Sequence, residues 1–124
     1  MSDILSSGGP GTAPGPSQGR ETETVGGYLA DHNRPPAFEG SDGHPYTVSL
    51  EVERTPNLRA PFSGFLVFPR WAESGVGIIG HLETPILFEE TQRSAAEKRL
   101  GALTLLQVKI LLEEAISRRN NESD

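Results

Sequence analysis

His81 and Glu83 are the residues in this 124-residue chain best placed for proton chemistry, because two positions apart on a strand puts both on one face. Imidazole titrates near neutrality, and a neighbouring carboxylate can hold or receive its proton. Joined by His44, and by His32 or Asp31, the pair has the nitrogen and oxygen donors of a metal site or small-ligand pocket. The spacing is unspecific, and a histidine beside a glutamate on a strand is more often a hydrogen-bonded surface pair. His44, His81 and Glu83 are the candidate ligand or metal residues, and no cofactor is implied.

Gly75-Val76-Gly77-Ile78-Ile79-Gly80 matches G-x-G-x-x-G letter for letter. A dinucleotide site needs a helix opening at the third glycine, so that its amides meet the pyrophosphate. Here Pro85 follows within a few residues, and no βαβ unit fits around the motif. The glycines read instead as a bulged or closely approached strand. Ser63, Ser74 and Ser94 lack a nucleophile elbow, so no catalytic residue is assigned. Glu89-Glu90 and Glu113-Glu114 are adjacent, not opposed, and read as solvated charges. Arg70-Trp71 is different: both residue types are enriched in binding hot spots, which makes them candidate partner-binding residues. The plainer reading is that Trp71 folds back over the end of a small core.

Composition narrows the classes. A formal charge of −6 argues against nucleic acid, and no apolar run has the length of a membrane span. The absence of cysteine excludes disulfides, thiolate metal sites and cysteine nucleophiles. The first residues lack the basic and apolar regions of a signal peptide, so the expected location is cytoplasmic.

The positioning elements follow from periodicity. Residues 1–27 are rich in Gly, Pro, Ser and Thr and read as a disordered tail. Tyr28-Leu29 starts a short arm, and Ala37-Phe38-Glu39 reads as an edge strand before the Asp42-Gly43 turn. From Tyr46 to Glu53 apolar and polar residues alternate, with Tyr46, Val48, Leu50 and Val52 on one face. Phe62–Phe68 is apolar on both faces, and Pro69 is expected to end it, leaving Arg70-Trp71 in a loop. Val76–Glu83 is a further strand. Thr91 caps a helix over Gln92–Leu100, with Gly101 as a left-handed C-cap. Thr104-x-x-Gln107 is a capping box, Leu103 and Val108 are its staple, and Val108, Leu111, Leu112 and Ala115 form the apolar face that follows.

The expected fold is therefore α+β: a four- or five-stranded antiparallel β-meander with two C-terminal helices packed on one face. Residues 28–119 form the single domain and 120–124 a frayed tail. Two helices cover one side, yet the central strands are apolar on both. The arm, curling of the sheet, or another chain must cover the second side, so a homodimer is a live expectation. The functional expectation is a small non-enzymatic accessory or interaction module of unidentified partner. The alternative is a ligand- or metal-binding protein, or small enzyme, built around His44, His81 and Glu83.

Overall fold

The computed structural model describes residues 22–123. Helix α1 spans Val25–His32; strands β1 to β6 span Ala37–Glu39, Pro45–Thr47, Ser49–Arg54, Phe62–Trp71, Ile78–Glu83 and Phe88–Glu90. Helices α2 and α3 close the order at Arg93–Gly101 and Leu105–Ser123. Among the described residues no helix is long and apolar enough to cross a membrane. The class is α+β, with an antiparallel sheet and two C-terminal helices.

The six strands lie on four tracks. Central β4 pairs β2 at Tyr46↔Arg70 and β3 from Ser49↔Val67 to Arg54↔Phe62, in a single register whose pairing lapses at Thr47 and Val48. On its other side it pairs β5 and then β6, whose registers differ by the extra residues of the Thr84–Leu87 connection. β1 adds an outer hairpin arm to β2.

Proline explains the lapse at Thr47. Thr55 N–H donates to Pro61 O on the β3 side, while Leu87 N–H donates to Gly64 O on the β6 side. Alternation along β4 then turns the Pro69 nitrogen toward Thr47, where a donor is missing. Toward β5, Pro69 occupies a non-hydrogen-bonded pair with His81, which needs no donor. The expectation that Pro69 ends the strand is overturned: β4 continues through Arg70 to Trp71.

Other boundaries move for equally local reasons. The composition places the boundary between tail and domain at residue 28, but α1 starts earlier: Thr24 Oγ1 caps it by accepting from Gly27 N–H at 3.0 Å, and Val25 is fully buried. Residues 1–21, the bulk of the expected tail, lie outside the described residues. Helix α2 lacks a side-chain cap at Gln92, and Gly101 is its last helical residue, with Ala102 right-handed after it. The close approach of the two helices falls on Gly26, where a Cβ would sit 2.9 Å from the Gly101 carbonyl oxygen, whereas a Cβ on Gly101 would make only an ordinary contact, 3.6 Å from Gly26 Cα. The fifth strand begins at Ile78, after a turn in which Gly75 and Gly77 take φ of 81° and 88°. No helix follows those glycines, so the motif is a hairpin turn.

The capping box forms as expected. Gln107 N–H donates to Thr104 Oγ1 at 3.1 Å, and Thr104 N–H to Gln107 Oε1 at 2.9 Å. Helix α3 continues past Arg119 to Ser123. Its buried side, Leu105, Val108, Leu112, Ala115 and Ile116, meets Tyr46, Val48, Leu66, Phe68 and Leu82 of the sheet, with Val25 and Leu100 from the other helices.

Candidate interaction face

Every strand residue in that core belongs to one side of the sheet. Side chains of directly paired residues share a face, so Tyr46, Leu50, Val52, Gly64, Leu66, Phe68, Arg70 and Leu82 look toward the helices. The alternate residues of β4, namely Phe65, Val67, Pro69 and Trp71, look the other way. None of these four belongs to the core cluster or to the residues packed against it. They form a half-buried apolar stripe. At ~3.4 Å per residue it runs for about 20 Å.

Polar residues border this stripe. Glu51 pairs with Phe65, Ser49 and Glu83 flank Val67, and His81 pairs with Pro69, while at the far end the exposed, apolar Ile78 pairs with Trp71. Glu53 and Glu89 flank Ser63 at one end, and Glu39 lies on the same face of β1. Strand positions on this side thus carry five glutamates and no lysine or arginine. The arginines of the sheet and of α2 serve the opposite side. Arg54 and Arg93 each lie 5.4 Å from the Phe62 ring centroid, and Arg99 lies 4.2 Å from that of Phe88. Beyond Trp71 the stripe runs into a shallow depression of about 410 Å³ that includes Pro45, Thr47, Glu73 and Gly75.

The fold separates the two residues expected to act as one patch. Trp71 is on the open face, where its Nε1–H donates to Thr47 Oγ1 at 3.0 Å. Arg70 is on the helix face: its Nε–H donates to Tyr46 Oη at 3.1 Å, and its guanidinium lies 5.7 Å from the Tyr46 ring centroid. Tyr46 Oη–H in turn donates to Asp42 at 2.7 Å. Burial pushes the Asp42 carboxyl up, but the Tyr46 hydroxyl, the His44 amide and the charges of His44 and Arg70 together hold it below the usual aspartate range. Tyr46 is raised, first by burial and then by donating to that carboxylate. This network ties the β1–β2 turn to the end of β4.

His81 Nε2 and Glu83 Oε2 do come together, 3.3 Å apart on the open face, and both side chains are more than half exposed. His44 does not join them. It sits in the β1–β2 turn, which the register places roughly 10 Å along and 10 Å across from His81. Its Nδ1 is buried without a hydrogen-bond partner. Among the described residues no group of three His, Cys, Asp or Glu is placed to hold a metal ion.

Sequence reasoning missed Pro69 and Trp71 as members of the stripe. The signal was the alternation Phe65, Val67, which continues through the proline to Trp71. A second apolar surface surrounds a groove of about 290 Å³ between β6 and α3, where Ile110 is half exposed and Leu87, Leu103 and Leu111 line the wall. Comparisons with family models, with curated proteins and with solved structures found no match to this chain.

Proposed function

We propose that the protein is a small non-enzymatic accessory module that captures a protein partner on the open face of its sheet. The observation that carries this reading is the Phe65–Val67–Pro69–Trp71 stripe, which is apolar, half-buried and outside the core cluster. A sheet face of this kind ordinarily finds a second layer. Trp71 suits a hot spot, being a large, rigid side chain held in place by its bond to Thr47.

The test is affinity capture from the native host with three baits: the unaltered protein, Val67→Arg on the open face, and Ile110→Arg on the exposed side of α3. A partner retained by the unaltered chain and by Ile110→Arg, but lost from a folded Val67→Arg, is the expected result. Retention by Val67→Arg, with loss from Ile110→Arg, overturns the reading and moves docking to the β6–α3 groove.

A further inference from the structure

We infer that the open face receives a basic amphipathic helix: one whose apolar stripe lies on Phe65, Val67, Pro69 and Trp71, and whose bordering Lys and Arg meet the glutamates on either side. This rests on reading that face as a docking surface and adds the chemistry of what docks. Charge is the first argument. The strand positions of the face hold Glu39, Glu51, Glu53, Glu83 and Glu89 but no lysine or arginine, while the arginines of β3, β4 and α2 are turned to aromatic rings on the other side. Among the described residues, none of these five carboxylates is ion-paired with a lysine or arginine, and the one ion pair on the face is His81–Glu83.

Such a face repels phosphate backbones and anionic membranes. It also disfavours a second copy of itself, because a two-fold contact sets the same patch on both subunits and brings like charges together. Backbone chemistry is the second argument. An extended segment laid on the face, rather than along an edge, would bury amides and carbonyls that the face cannot satisfy. A helix satisfies its own. The dimensions agree: Glu51 and Glu83 stand on tracks about 10 Å apart either side of β4, the breadth of one helix, and the ~20 Å stripe accommodates about 13 helical residues. Lysine and arginine stems can then lie over the apolar margin while their charges reach the glutamates.

The probe is a synthetic helix of about 18 residues, long enough to hold helical structure, with leucine at i, i+3, i+4, i+7 spacing and lysine beside the leucine stripe. It contains no tryptophan, so Trp71, the protein's single tryptophan, reports binding by fluorescence. A glutamate-for-lysine version and a scrambled leucine/lysine version are the controls. Saturable binding of the lysine helix is expected, with each control at least about tenfold weaker. In the combined Glu51→Gln, Glu53→Gln, Glu83→Gln variant, with its fold verified by circular dichroism, affinity should fall at least about tenfold and lose most of its salt dependence. Equal binding of the acidic helix, or unchanged affinity in the glutamine variant, overturns the inference. So does failure of the lysine helix to bind, and in that case Val67→Arg capture still decides separately whether the face docks anything. Concentration-dependent dimerisation abolished by Val67→Arg also overturns it, in favour of a second copy.

Discussion

Tyr46→Phe removes one oxygen from a fully buried side chain and leaves its ring in place. The lost hydroxyl donates to Asp42 and accepts from Arg70, so two hydrogen bonds to charged groups disappear together. Such bonds contribute roughly 1.5–3 kcal/mol each when the partner cannot turn to water. Asp42 is exposed and Arg70 partly so, and solvent recovers part of that loss. Halving the summed range of roughly 3–6 kcal/mol leaves ~1.5–3 kcal/mol, and about 2 kcal/mol is the working figure. In a domain of this size that corresponds to a fall in Tm of ~8–16 °C. Urea unfolding followed by Trp71 fluorescence and far-ultraviolet circular dichroism measures it.

The pH dependence gives a second handle. The folded Asp42 carboxyl titrates below its usual range, so the stability it contributes is present above that range and is lost as pH falls through the lowered value. Without the Tyr46 hydroxyl that lowering is weaker. The gap between the unaltered protein and Tyr46→Phe should therefore be widest near neutrality and narrow in acid. A double-mutant cycle with Asp42→Asn should show coupling of about 1 kcal/mol. Destabilisation below ~0.5 kcal/mol at neutral pH, or an equal gap in acid, would refute the argument from charge-assisted bonds.

Two further predictions concern how the helices are held. Glu113 Oε2 accepts from Ser41 N–H at 3.1 Å and pairs with Lys109 Nζ at 3.0 Å, tying α3 to the β1–β2 turn. The Ser41 bond lowers its carboxyl, burial opposes this, and Lys109 lowers it further. Glu113→Gln should therefore cost stability at neutral pH, and its deficit should vanish as acid protonates Glu113 in the unaltered chain; a persistent deficit contradicts this. Gly26→Ala should destabilise by about 1–3 kcal/mol despite alanine's better helix propensity, because the new methyl meets the Gly101 carbonyl oxygen. A raised urea midpoint would show that α1 can shift away freely.

Local signals were legible in the sequence where one element determines its own form. The capping box at Thr104 and the alternation of Tyr46, Val48 and Leu50 need no distant partner to act. Legibility failed where the decisive atom belongs to another element. Pro69 continues a strand because its bare nitrogen faces Thr47, at the junction of β2 and β3, a relation created only once those strands and β4 pair. Gly26 reads as part of a soft tail until the Gly101 carbonyl stands beside it. The open face was half legible: Phe65 and Val67 were seen as one side of a strand, but reading a stop at Pro69 hid Trp71 and separated it from them. His44, His81 and Glu83 illustrate the limit of residue type alone, since only the register shows that His44 stands apart.

Pro69 also bears on how β4 avoids folding inside out. A strand apolar on both sides is nearly indifferent to a shift of one residue, which would send Phe65 and Val67 inward and expel Leu66 and Phe68. Hydrophobicity cannot reject that misfold. The imino ring can: one step along, its nitrogen would face β5 and open a break inside that ladder, whereas in the native register the break it makes falls between β2 and β3. Gly64 adds a steric check, because a Cβ there would already stand 3.1 Å from Leu100 Cδ1 and the slipped strand would present a larger side chain at the same spot. Strand β4 can therefore keep a greasy outer surface without losing its register, so the stripe Phe65–Trp71 can be apolar while the fold stays single-valued.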